Sequence, residues 1–321
     1  MKGFPMRLLF LLPALLAVNV AVADERPLID DTGRNVSVPD NPKRIVVLHE
    51  PLVGLPLMDL GLNLVGSYGR ADDGSFVTAV DFIDTVLGGK LSKPKGIGAF
   101  GQLDVEKVRA LKPDLIVGTE LDTDKVDQMS SVAPIYLQNA STGKSYGFGV
   151  EEKLAKVVGR EDVFAARMAD YLKRLDKTRK ALPFDPAGQD YLAIFITDQL
   201  NVLGQMSGLI QALEDLGYER AVLNETGANN GVGATLMVPL NPEVFAQLNP
   251  DLLVIMNSYV GGGRDEKAIR VQLDRIVPGW SRFLKPEREG RVLYLDSAEV
   301  TTPTVASAEH ALDAIEAWAN K

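Results

Sequence analysis

Two glutamates occupy the same place in a repeated pattern. Glu106-Lys-Val-Arg-Ala-Leu-Lys-Pro113-Asp114-Leu-Ile-Val117 returns as Glu243-Val-Phe-Ala-Gln-Leu-Asn-Pro250-Asp251-Leu-Leu-Val254. Both copies run Glu, six residues, Pro-Asp and then an aliphatic strand. A carboxylate at a helix start complements the helix dipole, which is reason enough for one such residue. Its return at the same offset points to two similarly built lobes, each presenting one acidic residue at a corresponding helix start. Two matched lobes imply a cleft between them, and two matched carboxylates imply a docking face that reads both lobes together.

The residues that could do other chemistry are few. His49 and Glu50 follow the aliphatic run Ile45–Leu48. Open α/β sheets bind ligands at the carboxyl ends of their strands, so both could touch a ligand. A hydrogen-bonded structural role explains His49 equally well. The chain has no cysteine and two histidines. That removes disulfides and thiolate chemistry, and argues against a directly bound transition metal, which usually takes several His or Cys ligands. Neither a G-x-S-x-G elbow nor a Ser/His/Asp set is present. Gly143-Lys144-Ser145 resembles the end of a phosphate-binding loop, but that loop needs glycine where Gln138 stands. Gly231-Val-Gly233 and Gly261-Gly-Gly263 lack the dinucleotide-binding spacing and read as cleft loops. These residues therefore show no catalytic machinery and argue against a resident metal.

Elements that would position these residues alternate between strand and helix. Strands are expected at Ile45–Leu48, Leu64–Ser67, Leu115–Gly118 and Ile135–Leu137, with helices at 52–60, 76–87, 104–111 and 124–132. This alternation argues for βα units on a mostly parallel sheet. The hairpin signal Asp30-Asp31-Thr-Gly33-Arg34 precedes them. Next comes a long helical stretch, 161–181, with Val163, Phe164, Met168, Tyr171, Leu172, Leu175 and Leu182 on one stripe. At ~1.5 Å per residue it would run about 30 Å, enough to join two lobes. The alternation then restarts: strands at 191–197, 252–256 and 292–295, helices at 208–216, 242–248, 267–276 and 305–318.

At the amino terminus, Lys2 and Arg7 precede the apolar run Leu8–Val22, and Ala21-Val22-Ala23 fits a signal-peptidase site. The expected organisation is a signal peptide over 1–23, an N-terminal lobe over 24–158, an interlobe helix over 159–183 and a C-terminal lobe over 184–321. Without a cysteine there is no lipid anchor, so the mature chain is expected to be soluble in the periplasm. Asn35-Val-Ser37, Asn139-Ala-Ser141 and Asn224-Glu-Thr226 match glycosylation sequons, a pattern frequent by chance. The formal charge of −9 has no basic stripe within it, which makes nucleic acid a poor partner.

Taken together, the chain resembles the class III periplasmic binding proteins of ABC importers, which carry ferric siderophores, haem and cobalamin. The stretches that carry the resemblance are Asp31-Thr-Gly33-Arg34 through Pro42-Lys-Arg44-Ile-Val-Val-Leu48, the two Glu/Pro-Asp repeats, the long helix, and Trp280-Ser-Arg-Phe-Leu through Gly290-Arg-Val-Leu-Tyr294. The resemblance covers nearly all of the mature chain. It implies an α/β fold of two Rossmann-like lobes joined by a single long helix, with the ligand between the lobes. It implies that Glu106 and Glu243 pair with arginines of an inner-membrane ABC permease. Family contacts come from strand ends and from the loops before the two Glu helices. Here those positions hold Arg70, Phe100, Thr119, Met237, Tyr259 and Arg264. Trp or Tyr is frequent at several of these places in members that bind haem, cobalamin or hydroxamates, whereas Thr119 and Met237 stand here, which makes bulky flat cofactors less favoured. Arg70 and Arg264 suit an anionic complex. The expectation is a monomer that delivers a ferric siderophore to its permease. Haem or cobalamin binding is the alternative within the class, and a Rossmann-like periplasmic enzyme is the alternative outside it.

Overall fold

The computed structural model describes residues 25–77, 80–99, 102–140, 144–223, 236–261 and 263–320. The expected signal peptide, the Asn224 sequon, Gly231–Gly233, Phe100 and Gly262 lie outside the described residues.

Two sheets form the frame. The first is wholly parallel and runs, edge to edge, Lys95–Gly96, Leu64–Ser67, Ile45–Val47, Leu115–Thr119 and Ile135–Gln138. The Ile45–Val47 and Leu115–Thr119 strands are buried along their whole length, which is why they read as unbroken aliphatic runs. The second sheet runs Met237–Pro239, Leu200–Leu203, Asp190–Ile196, Leu252–Asn257 and Val292–Tyr294, with Glu219–Arg220 beside Asp190–Ile196. Its first two pairings are antiparallel. The sheet is therefore mixed, and the sequence reading missed the Leu200–Leu203 and Met237–Pro239 strands. A hairpin of Glu25–Ile29 and Asn35–Pro39 precedes the first sheet.

The repeated Pro-Asp has a physical cause that the sequence alone did not reveal. Asp114 accepts hydrogen bonds from the backbone N–H of Lys43 at 2.7 Å and of Arg44 at 2.9 Å, just before the Ile45–Val47 strand. Asp251 accepts from the N–H of Asp190, at the start of the neighbouring strand, at 3.1 Å, and Asp190 returns a bond from the N–H of Asp251 at 2.7 Å. In both copies the aspartate pins its strand to the start of the next one, which fixes parallel register.

The Glu161–Ala181 helix has the expected bounds. Tyr171 and Leu175 are buried on it, but Val163 and Leu172 are exposed, so the apolar stripe is narrower than the spacing predicted. The helix packs on the closing helix Val305–Ala319, where Arg174 pairs with Asp313 and Glu316. Phe82–Leu87 is shorter than the helix expected from residue 76, because Asp81 caps it. The helix Gly149–Val158, immediately before Glu161–Ala181, was not anticipated.

The first residues of the closing helix dock on the first lobe. Glu151 accepts from the N–H of Val305 at 2.8 Å, and Asp59 accepts from the N–H of Ala306 at 3.0 Å. These carboxylates satisfy donors that a helix start leaves open. Arg167 of the long helix joins them, 2.9 Å from Asp59 and 3.1 Å from Glu309. His310 meets the carbonyl of Val86 at 2.9 Å. Met206, Ala298 and Ala306 of the second half sit within the hydrophobic core of the first. The lobes thus meet across a packed seam held by hydrogen bonds and ion pairs.

Candidate ligand-binding cleft

Beside this seam, aromatic side chains from the two lobes face each other. Tyr259, two residues past the Leu252–Asn257 strand, meets Phe82 of the first lobe edge-on, with ring centroids 4.9 Å apart and planes at 80°. It also meets Phe195, on the Asp190–Ile196 strand, at 6.0 Å. Pro51, Leu52, Met206 and Met237 complete a small apolar cavity of 50 Å³. Phe195, Met237 and Tyr259 are shared with a wider cavity of 730 Å³ that opens along the ends of the Asp190–Ile196 and Leu252–Asn257 strands. The position obeys the strand-end rule for open α/β sheets. Met237 is 41% exposed and Tyr259 half-buried, so both expected contacts face usable space. Burial raises the Tyr259 phenol pKa above its ordinary value, so this group stays protonated at neutral pH.

Arg70 departs from the expectation of a cation open to the cleft. Its side chain has no exposed surface. The guanidinium makes a bidentate pair with Glu50, both contacts at 2.6 Å, and a second with Asp81 at 2.8 and 2.9 Å. It also donates to the Gly74 carbonyl at 2.6 Å and lies 5.0 Å from the centre of the Phe76 ring. Burial opposes its charge, but the hydrogen bonds and charges of Asp81 and Glu50 prevail and raise its pKa. Asp81 is held below the ordinary carboxylate range: burial alone would raise it, and the bonds and charges of Arg70 and Lys93 overcome that. Backbone geometry fixes this cage. Gly74 has φ of +86°, and a Cβ on Gly96 would lie 1.9 Å from the Arg70 carbonyl oxygen. Glu50, buried to 1% exposure, belongs to the same cage and is no open ligand contact either.

The other expected contacts also separate. His49 caps the Glu50–Gly54 turn, its Nδ1 accepting from the N–H of Leu52 at 3.2 Å. Burial lowers its pKa from 6.5 to about 4, against the opposing charge of Asp122, so the ring is neutral and structural. Thr119 is 1% exposed and forms a reciprocal capping box with Asp122 at the end of its strand, which leaves it turned into the fold. Arg264 pairs with Asp296 at 3.2 Å and lines a lateral groove of 830 Å³ beside the Val292–Tyr294 edge strand. Met237 and Tyr259 are not among that groove's lining residues. The residues the sequence reading missed are Phe82, Phe195 and Asp81. Asp81 carried a readable signal, an N-cap immediately before an apolar run. Among the described residues no cluster of three or more His, Cys, Asp or Glu side chains could hold a metal ion.

Glu106 and Glu243 each occupy the second residue of a short helix, after the capping residues Asp104 and Asn241. Both are exposed. Glu106 is ion-paired with Arg109.

The sequence pattern of the family described as periplasmic binding protein matches residues 76–299, and the chain belongs to that family. Membership implies an ABC permease as partner. Among curated relatives, a provisionally named ABC transporter substrate-binding lipoprotein of Bacillus subtilis (strain 168), YhfQ, is 27% identical over 84% of this chain and 80% of its own length. The petrobactin-binding protein YclQ of the same strain is 24% identical over 84% and 79%. Among solved structures, Staphylococcus aureus SirA complexed with staphyloferrin B superposes with a TM-score of 0.69 at 18% identity, over 92% of this chain and 98% of that one. Bacillus subtilis FeuA complexed with ferri-bacillibactin gives 0.64 at 18% identity, over 92% and 98%. At these identities the structures establish the two-lobed fold.

Proposed function

We propose that the chain captures a ferric siderophore in the cleft bounded by Phe82, Phe195, Met237 and Tyr259, and delivers it to an inner-membrane ABC permease. The observation that carries this reading is the position of Tyr259, which touches both lobes at the strand ends where a ligand would separate or bridge them. The names of the relatives support the cargo: YclQ is a petrobactin-binding protein, and FatB of Vibrio anguillarum, 22% identical over 68% of this chain, is a ferric-anguibactin-binding protein. The iron travels as cargo inside its chelate, without side-chain ligands. The mature protein is a periplasmic monomer released by cleavage near Ala23, and Glu106 and Glu243 form its permease-docking pair. Native mass spectrometry with ferric catecholate, carboxylate and hydroxamate siderophores, haem and cobalamin tests this. One siderophore bound per chain is expected. Binding of haem or cobalamin alone, or of none of the panel, overturns it.

A further inference from the structure

The wall of the wider cavity beyond Tyr259 holds polar groups that the fold leaves uncommitted. Asn257 ends the Leu252–Asn257 strand and is 7% exposed. Its Nδ2 donates to the Gly263 carbonyl at 2.8 Å. That bond fixes which way the amide points, because a reversed amide would set two acceptors against each other. Oδ1 is therefore an acceptor, and it is buried with no donor among the described residues. A buried polar atom left in this state is destabilising, and a ligand donor would relieve it.

On the same wall, at the end of the Glu266–Ile276 helix, stands Arg275. Among the described residues its Nη1 donates to Gln272 Oε1 over a long 3.4 Å, and it has no carboxylate partner. The other arginines considered above differ: Arg70 is enclosed by Glu50 and Asp81, and Arg264 is paired with Asp296. Asp198 lines the cavity too, where it accepts from the Thr197 hydroxyl at 3.0 Å.

Resting on the reading of this cavity as an iron-chelate site, we propose that Arg275 and Asn257 are its specificity-determining residues. Arg275 engages an anionic oxygen on the ligand, from a carboxylate or a catecholate. Asn257 Oδ1 accepts an N–H or O–H from the same ligand. The chemical class selected is an anionic ferric chelate with a peripheral donor, in preference to an uncharged ferric hydroxamate. The cation the sequence assigned to Arg70 and Arg264 is supplied instead from the C-terminal end of the Glu266–Ile276 helix.

The test is titration of the mature chain with ferri-bacillibactin, ferric staphyloferrin B and an uncharged ferric tris-hydroxamate, for the wild type and for Arg275→Gln, Arg275→Glu, Arg275→Lys and Asn257→Leu. Loss of one charge-assisted hydrogen bond predicts about tenfold weaker binding of an anionic chelate by Arg275→Gln. Arg275→Glu is expected to weaken it further, and Arg275→Lys to recover part of the loss. Asn257→Leu should weaken it as well, while hydroxamate binding stays within about twofold for the Arg275 series. Anionic-chelate affinity unchanged in Arg275→Gln and Arg275→Glu overturns the proposal, as does equal loss for charged and uncharged chelates. Wild-type binding of the hydroxamate alone overturns it while leaving siderophore capture standing. Binding of no iron chelate overturns both.

Discussion

Arg70→Met should cost stability rather than a ligand contact. The substitution leaves Glu50, whose side chain has no exposed surface, and the partly buried Asp81 without their shared cation. Removing one partner of a buried ion pair typically costs about 3–5 kcal/mol, because the remaining charge is stranded in a low-dielectric site. For a domain of this size class each kcal/mol shifts Tm by about 2–4 °C, so the expected fall is roughly 6–20 °C. Differential scanning calorimetry measures it. The double variant Arg70→Met, Glu50→Gln removes the most buried stranded charge and should recover a large part of the loss. The cage also holds Asp81, the cap of the Phe82–Leu87 helix, so Arg70→Met should loosen the Phe82 wall and lower ligand affinity secondarily. A Tm within about 2 °C of wild type, combined with a large loss of affinity, would refute the reasoning and return Arg70 to the ligand.

Glu106→Ala with Glu243→Ala should leave chelate affinity intact and impair iron uptake in cells, since both side chains are exposed and neither lines the cleft; normal uptake by the double variant would refute the docking role. His49 is held neutral with its pKa lowered from 6.5 to about 4, so its contribution is present above pH 6.5 and is lost as pH falls toward 4. The ceiling on that contribution is about 3 kcal/mol, reduced by the partial exposure of the ring. His49→Asn keeps a capping acceptor and should flatten urea-unfolding stability across that window; an unchanged slope counts against it. Glu151 is pushed well above the ordinary carboxylate range by burial first and then by the charge of Asp59. A raised pKa makes its contribution fully present below the ordinary Glu pKa and lost as pH rises above it. Glu151→Gln should therefore gain on wild type in unfolding free energy as pH rises, and a constant difference between the two curves would contradict the shift. The same seam, in which Glu151, Asp59 and Arg167 tie the closing helix to the first lobe, predicts a change of only a few degrees between apo and bound forms. Solution scattering with a large fall in radius of gyration would contradict that.

Element identity was readable where the signal was local. The Glu161–Ala181 and Gly208–Leu216 helices match their expected bounds because apolar spacing and glycine or proline stops mark them. The Leu200–Leu203 and Met237–Pro239 strands were not readable, since antiparallel pairing at a sheet edge leaves no βα spacing to detect. Site residues were less legible than the fold. The end of the second Pro-Asp strand led to Tyr259 and the approach to the second Glu helix led to Met237, both of which line the cavity between the lobes, but position along a strand does not reveal what a side chain meets. Arg70 follows a strand end and yet turns into a cage whose other members, Glu50 and Asp81, lie 20 and 11 residues away. Thr119 likewise ends a strand but spends its polar atoms on a cap. Arg275 lies eighteen residues beyond its strand's end and carried no positional signal at all.

The most direct test of the central claim is calorimetric titration of a ferric siderophore into the wild type, Tyr259→Ala and Arg264→Ala. The first substitution alters the cavity between the lobes, and the second the lateral groove beside the edge strand. Saturable one-to-one binding is expected, strongly weakened by Tyr259→Ala and little changed by Arg264→Ala. Intact binding in Tyr259→Ala together with its loss in Arg264→Ala would contradict the account and place the ligand outside the cleft.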